Sequence, residues 1–259
     1  MKDTWVLFDL DGTLTQSEEG IWNCAKHAAK EMGFPEPDAA TLRKFIGPPL
    51  IHSFRNLLGM TAEQAEEAQR IYRARYTTVG MYENRVYPGI RTVLRTLWKQ
   101  GVKLGVVTGK PAYPTGKILE HFGLDRFLSR VVCTADTRAE KEHLIREALP
   151  EDHGEAWMVG DRCFDMEGGV KAGIHTLGVT YGYGSEEELR ETGAEMIVHT
   201  PREILSSAIT AGRFMHARSM TSARNRDTFF IAEPPFLFLA RRRFPRALWN
   251  WDQGKGGTG

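Results

Sequence analysis

Val6, Leu7, Phe8 and Leu10 form a short apolar run near the N-terminus, interrupted by Asp9. A run of this kind suits a central strand of a parallel sheet, covered by helices on both faces. Thr15 and Glu18, three residues apart, have the form of a capping box, so a helix is expected directly after the strand. Helical spacing then persists to about Asn84. Within it, Thr61 and Gln64 form a second capping box, and Ala65, Ala68, Tyr72 and Tyr76 behind it make an apolar stripe assigned to the interior of the helical block. Gly47, Pro48 and Pro49 divide the block into two parts.

Beyond Tyr87 helix and strand alternate. Pro88 opens a helix with Ile90, Val93, Leu94, Leu97 and Trp98 at helical spacing, and Gly101 stops it. Strands are expected over residues 102–108, 131–133, 156–160 and 174–179, with helices over 116–122 and near 140–149. Thr200 and Pro201 stand at the cap and first turn of a last helix. The alternation predicts an α/β fold with a doubly wound parallel sheet, and the all-helical block interrupts it after the first strand. The expected division is a core domain of residues 1–16 and 84–210, an inserted helical cap domain of 17–83, and an extension of 211–259. An insertion rooted at a strand's carboxyl end hangs over the crevice where open α/β sheets bind ligands.

Charge changes the picture only at the C-terminal end. The whole chain of 259 residues carries a formal +1, but from residue 213 onward nine Lys or Arg face three acids, leaving −5 on the first 212 residues. The extension mixes basic residues with aromatics, yet Pro234 and Pro235 interrupt any amphipathic helix there. Neither nucleic acid nor membrane is expected as a partner, and the extension is expected to be disordered or loosely docked and dispensable for catalysis. Cys24, Cys133 and Cys163 are odd in number and show no paired spacing, which favours a reducing compartment. With no signal-peptide pattern and no run of membrane-spanning length, a cytoplasmic location is expected. A monomer or homodimer is expected.

The strand ends carry the candidate chemistry. Asp9, Thr108 and Asp161 each stand at the end of an expected strand, where polar residues converge on one crevice. Asp165 follows Asp161 by four residues, one turn later on a helix. With Asp11 beside Asp9, four carboxylates would repel one another unless a cation sits among them. An all-oxygen donor set without His or Cys favours magnesium over zinc. A carboxylate in such a place can attack phosphorus, and a second acid can handle protons. Read alone, Asp11 and Gly12 make a tight turn and Asp9 a helix cap; that reading leaves Thr108 and the Asp161 and Asp165 pair unexplained.

The stretches FDLDGTLT, VVTGK and VGDRCFD, with a lysine-bearing helix near Lys141, resemble the four ordered motifs of haloacid dehalogenase-like phosphatases. The resemblance covers about residues 2–205 and extends to that group's Rossmann-like core with a small helical cap. FIGPPL, VYPGI and YGYGSEEEL are similar to the phosphoglycolate phosphatase or 5′-nucleotidase-like branch. The resemblance implies a magnesium-dependent phosphomonoesterase acting on a small phosphorylated metabolite, phosphoglycolate or a nucleoside monophosphate, through an aspartyl-phosphate. It makes Asp9 the nucleophile and Asp11 the acid and base. Thr108 would hold a phosphoryl oxygen and Lys141 would neutralise charge. Asp9, Asp11 through its backbone carbonyl, Asp161 and Asp165 would hold the metal.

Gly109 stands where many relatives have Asn or Ser, and Glu142 where many have Pro, so Lys110 competes with Lys141 for the phosphate-neutralising role. Gly109, Lys110, Gly47, Arg43 and Arg55 complete the candidate substrate contacts. Cys163 is expected to be inert. Two alternatives stand beside this reading: a sugar phosphomutase of the same superfamily, and a non-catalytic phospho-acceptor or binding protein.

Overall fold

The computed structural model describes residues 2–134, 140–207 and 209. The extension from residue 211 therefore lies outside the described residues. The first strand, β1 (Trp5–Phe8), is buried along its whole length. Successive side chains of a strand point to opposite faces. Val6 and Phe8 accordingly join one apolar cluster, and Trp5 and Leu7 join another on the far side of the sheet.

After β1 come the two-residue β2 (Thr15–Gln16) and the helices α1 (Glu18–Glu31), α2 (Ala39–Arg43), α3 (Leu50–Leu58) and α4 (Ala62–Tyr76). The chain returns through β3 (Arg85–Val86), antiparallel to β2, so two short strands form the stem of the helical insertion. The core continues with α5 (Ile90–Lys99), β4 (Lys103–Thr108), α6 (Ala112–Phe122), β5 (Arg130–Cys133) and α7 (Lys141–Ala148). It closes with β6 (Ala156–Gly160), α8 (Cys163–Ala172), β7 (His175–Val179), α9 (Glu186–Glu191), β8 (Met196–Val198) and a 3-10 turn at Pro201–Ser206.

The main sheet is parallel throughout, in the order β5-β4-β1-β6-β7-β8. The chain builds outward from β1 through β4 to β5, then crosses back to lay down β6, β7 and β8 on the other side. The strand order reverses at β1, and ligands of open α/β sheets bind outside the carboxyl ends at such a point. Asp9, Thr108 and Asp161 all stand there. Leu144, Ile145 and Ala148 of α7 cover one face of the sheet, while the α5 residues Ile90, Val93, Leu94 and Leu97 cover the other. That second cluster runs on without a break into the insertion, through Ile21, Cys24, Phe54, Tyr72 and Tyr76.

Three local expectations are corrected. Thr15 does not cap α1; it is buried in β2, donates to the Leu10 carbonyl and accepts from Asn84. The hydroxyl of Tyr183, far along the chain, instead accepts the N–H groups of Ser17 and Glu18 at 2.9 and 3.1 Å and satisfies the first turn. Trp98 is 52 % exposed, because the buried stripe of α5 ends at Leu97 and the next residue is turned about 100° away. Among the described residues, Thr200 and Pro201 open a 3-10 turn, not an α-helix, and the Thr200 hydroxyl donates to Glu203 rather than capping the backbone. The capping box of Thr61 and Gln64 forms as expected, and no helix among the described residues is long and apolar enough to cross a membrane.

Gly20 in α1 accepts the backbone of the turn at Gly80–Tyr82: a Cβ there would stand 2.0 Å from the Gly80 carbonyl oxygen. Alanine is normally the better helix residue by about 1 kcal/mol. Here the sign is expected to reverse, and Gly20→Ala should destabilise the fold by about 1–3 kcal/mol in urea unfolding. A gain in stability would mean that α1 and this turn are not in backbone contact.

Candidate active site

Asp9 is the first residue past β1, and its backbone N–H still donates to the Val159 carbonyl at 3.0 Å, so the sheet itself fixes its position. The chain then turns sharply at Gly12, where φ is +88° and a Cβ would meet Asp161 Oδ2 at 2.2 Å. Only glycine fits both the left-handed conformation and the contact. Thr13 Oγ1 donates to Asp161 Oδ1 and the Tyr183 N–H to Asp161 Oδ2, each at 2.9 Å. Asp161 is thereby buried with both oxygens satisfied.

Asp165 sits in the first turn of α8, and its Oδ2 accepts the Arg162 N–H at 3.1 Å. The missing side chain at Gly160 makes room for it, since a Cβ there would stand 2.2 Å from the Asp165 carboxyl carbon. Lys141, the first residue of α7, reaches across to both acids: its Nζ lies 2.7 Å from Asp9 Oδ1 and 2.7 Å from Asp165 Oδ1. Gly168 of α8 lets that stem pass, a Cβ there standing 2.8 Å from Lys141 Cβ.

Oxygens of Asp9, Asp161 and Asp165 lie within 4.8 Å of one another. Burial pushes the Asp9 carboxyl up to about 6, Lys141 pulling against it and Asp165 adding to the rise. Burial, then the charges of Asp165 and Asp9, hold Asp161 well above the usual carboxylate range. Burial disfavours the Lys141 ammonium, but Asp165 and Asp9 outweigh it and hold the group above the ordinary lysine value. One ammonium among three carboxylates leaves the pocket short of positive charge. A hard divalent cation such as magnesium fits that deficit and the all-oxygen donors.

The Asp11 side chain is not part of this cluster. Lys110 draws it aside: Lys110 Nζ lies 2.8 Å from Asp11 Oδ2 and donates to Tyr76 Oη at 2.7 Å. The Lys110 backbone N–H donates to Thr108 Oγ1 at 3.2 Å. Thus both candidate lysines reach the crevice, each on a different acid. Gly109 stands exposed with open space around it.

Between these residues and the helical insertion lies a cleft of about 780 Å³. Asp9, Asp11, Thr108, Gly109, Lys110, Lys141, Asp165 and Gly47 line it, whereas Asp161 is fully buried and is not part of the lining. Arg43, Lys44 and Arg55 do not line it. Leu42, Phe45 and Phe54 take the inward positions of their segments, which turns the neighbouring Arg43, Lys44 and Arg55 out to solvent. The insertion's cation on the cleft is Arg73, with Tyr72 and Tyr76 beside it.

Tyr76 also corrects the assignment of its stripe to interior packing alone. Its ring is buried there, but its hydroxyl belongs to the site. Arg162 is a further residue that its motif did not single out. It donates to the Ile46 carbonyl at 3.0 Å and to Glu188 at 2.9 Å, tying the Gly47 loop to the core. Gly47, at φ +107°, is required there, because a Cβ would stand 2.8 Å from Arg162 Nη1. Cys163 has its thiol pushed up to about 11, by burial first and then by Glu188, in accord with an inert role.

The family model of haloacid dehalogenase-like hydrolases matches residues 6–179. A 5′-nucleotidase of Pseudomonas aeruginosa is 42% identical over 192 residues, covering 71% of this chain and 86% of that protein. Tyrosine-protein kinase PtkA of Mycobacterium tuberculosis is 35% identical over 202 residues, covering 75% and 68%. The crystal structure of a predicted phosphatase from Clostridium acetobutylicum superimposes with a TM-score of 0.71 at 38% identity, over 80% of this chain and 98% of that one. The parallel sheet, the acids at its strand ends and these likenesses agree: the chain belongs to the haloacid dehalogenase-like hydrolase family.

Proposed function

We propose that the protein is a magnesium-dependent phosphomonoesterase working through an aspartyl-phosphate at Asp9. The observation that carries this reading is the separation of two acids by two lysines. Asp9 is held by Lys141 at the strand end, and Asp11 is held apart by Lys110. Nucleophile and acid–base group therefore have different partners and different orientations.

In the first step an Asp9 oxygen bonds to phosphorus, the ester P–O bond breaks, and Asp11 gives a proton to the departing oxygen. In the second, water bonds to phosphorus, its proton returns to Asp11, and the Asp9–phosphorus bond breaks to release phosphate. Thr108 accepts the Lys110 N–H and so keeps its own O–H to donate to a phosphoryl oxygen. Lys141 balances charge on the transferring group. Asp9, Asp161 and Asp165, with the Asp11 carbonyl, would hold magnesium, which when bound would supply neutralisation between the anionic nucleophile and the anionic phosphate.

A two-carbon substrate such as phosphoglycolate leaves most of a cleft of about 780 Å³ empty, whereas Phe45, Tyr72, Tyr113 and Phe164 along its walls suit a nucleoside. A nucleoside monophosphate is thus the favoured substrate, in keeping with the relative named 5′-nucleotidase. A second reading, transfer of the phosphoryl group from Asp9 to a hydroxyl instead of water, draws on the relatives named tyrosine-protein kinase. It predicts phosphorylated acceptor without stoichiometric release of inorganic phosphate.

Across a panel of phosphomonoesters, phosphate release should show kcat/KM higher for nucleoside monophosphates than for phosphoglycolate by about tenfold or more, a difference of roughly 1.4 kcal/mol in transition-state binding. The reverse order would reassign the cleft. Asp9→Asn should lower kcat by about a thousandfold or more while the protein keeps its melting temperature above pH 6, because the raised Asp9 carboxyl is strained by ionisation there.

Magnesium dependence carries a pH signature. Asp9 is raised from 3.8 to about 6, so its contribution to stability is fully present below pH 3.8 and is lost as pH rises through about 6; Asp161, also raised, acts in the same direction. Added magnesium should therefore raise Tm little at pH 5 and progressively more from pH 6 to 8, and chelation should abolish turnover. A pH-independent Tm increment, or turnover that survives chelation, contradicts the assignment.

A further inference from the structure

The acid–base aspartate depends on a single tether that runs into the helical insertion. Lys110 Nζ holds Asp11 Oδ2 at 2.8 Å, while Asp11 Oδ1 is shut off from solvent and has no hydrogen-bond partner among the described residues. The orientation of the carboxylate thus follows the position of one ammonium. A lysine ammonium rides on a flexible four-carbon stem and is not self-orienting. What fixes this one is Tyr76 of α4, whose hydroxyl accepts from Lys110 at 2.7 Å and whose ring centroid lies 4.7 Å from the same Nζ. The Lys110 side chain is only 9% exposed, so water is a poor substitute partner.

Tyr76 is itself immobilised. Its ring stacks on Tyr72 at 5.5 Å and 11°, Tyr72 meets Phe54 edge-on at 6.5 Å, and Phe54 meets Phe45 edge-on at 5.3 Å. Four aromatic rings drawn from the Gly47 loop, α3 and α4 therefore end on the lysine that aims Asp11. Packing of this kind locks a side chain well, and a misplacement of about 1 Å in a reacting group costs on the order of a hundredfold in rate.

We infer that Tyr76 is a positioning residue for proton transfer: its hydroxyl holds Lys110, and Lys110 holds the Asp11 carboxylate where the leaving oxygen departs. The inference rests on the reading of Asp11 as the acid proposed above. It makes the insertion a part of the acid–base apparatus as well as a cover for the cleft.

The test is Tyr76→Phe, which removes one hydroxyl and keeps the ring in its stack, assayed on two esters. An alkyl phosphomonoester needs its leaving oxygen protonated; dinitrophenyl phosphate does not. Because kcat/KM covers the steps up to leaving-group departure, Tyr76→Phe should lower it about tenfold or more on the alkyl ester and less than about twofold on the aryl ester. Asp11→Asn should show the same selectivity more strongly, and adding Tyr76→Phe to it should cause no further loss, because both act through one carboxylate. A crystal structure of Tyr76→Phe should show Lys110 drawn away from Asp11.

Equal losses on the two esters, additive losses in the double variant, or an unmoved Lys110–Asp11 pair would each overturn the inference while leaving the phosphatase reading intact. Wild-type protein that cleaves neither ester would overturn that reading, and this inference with it.

Discussion

Three carboxylates share one buried pocket with one ammonium, and much of the fold is arranged to hold them there. Burial first, and then the neighbouring carboxylates, disfavour ionisation there, so Asp9 and Asp161 stand above their ordinary range even with Lys141 pulling Asp9 the other way. The chain tolerates this by brute placement. Asp9 is fixed by the sheet's own ladder, Asp161 by Thr13 and the Tyr183 N–H, and Asp165 by the first turn of α8. Gly12, Gly160 and Gly182 each occupy a spot where a Cβ would collide with one of these acids. An acidic cluster so costly without a counter-ion supports the proposed reading, in which these residues could hold a metal ion.

The helical insertion is bound into this arrangement at three places. Tyr183 from the loop after β7 satisfies the start of α1, Arg162 beside the acid cluster holds the Ile46 carbonyl, and Lys110 beside Asp11 meets Tyr76. Each contact joins a residue next to a reacting group on the core to a backbone or side chain of the insertion. The apolar cluster shared by sheet and insertion makes the join continuous. Phe45, Tyr72 and Tyr76 belong both to the cleft wall and to the aromatic run that ends on Lys110.

What could be read in the sequence was what local chemistry determines. An apolar run broken by Asp9 announces a buried strand with a polar end, and the repetition of that pattern at Thr108 and Asp161 announces a shared crevice, because parallel strands must align their carboxyl ends. The illegible parts depended on partners far away in sequence. Thr15 has the right chemistry for a cap, but the stem strand took it and Tyr183, 166 residues after Ser17, supplied the acceptor. Arg43 and Arg55 carry the right charge for a substrate, but charge does not say which way a helix faces. Periodicity located the ring of Tyr76 without revealing its hydroxyl's partner. The three-residue β8 offers too little pattern to announce itself.

In the proposed reaction the aspartate at the end of the first strand becomes covalently bonded to phosphorus. Acid-quenching the protein during turnover of a nucleoside monophosphate, followed by mass spectrometry of its peptides, tests this most directly. A phosphoryl adduct on Asp9 that decays with the kinetics of phosphate release is expected. Phosphate released at full rate with the label on another residue, or with no adduct at any time, would contradict it.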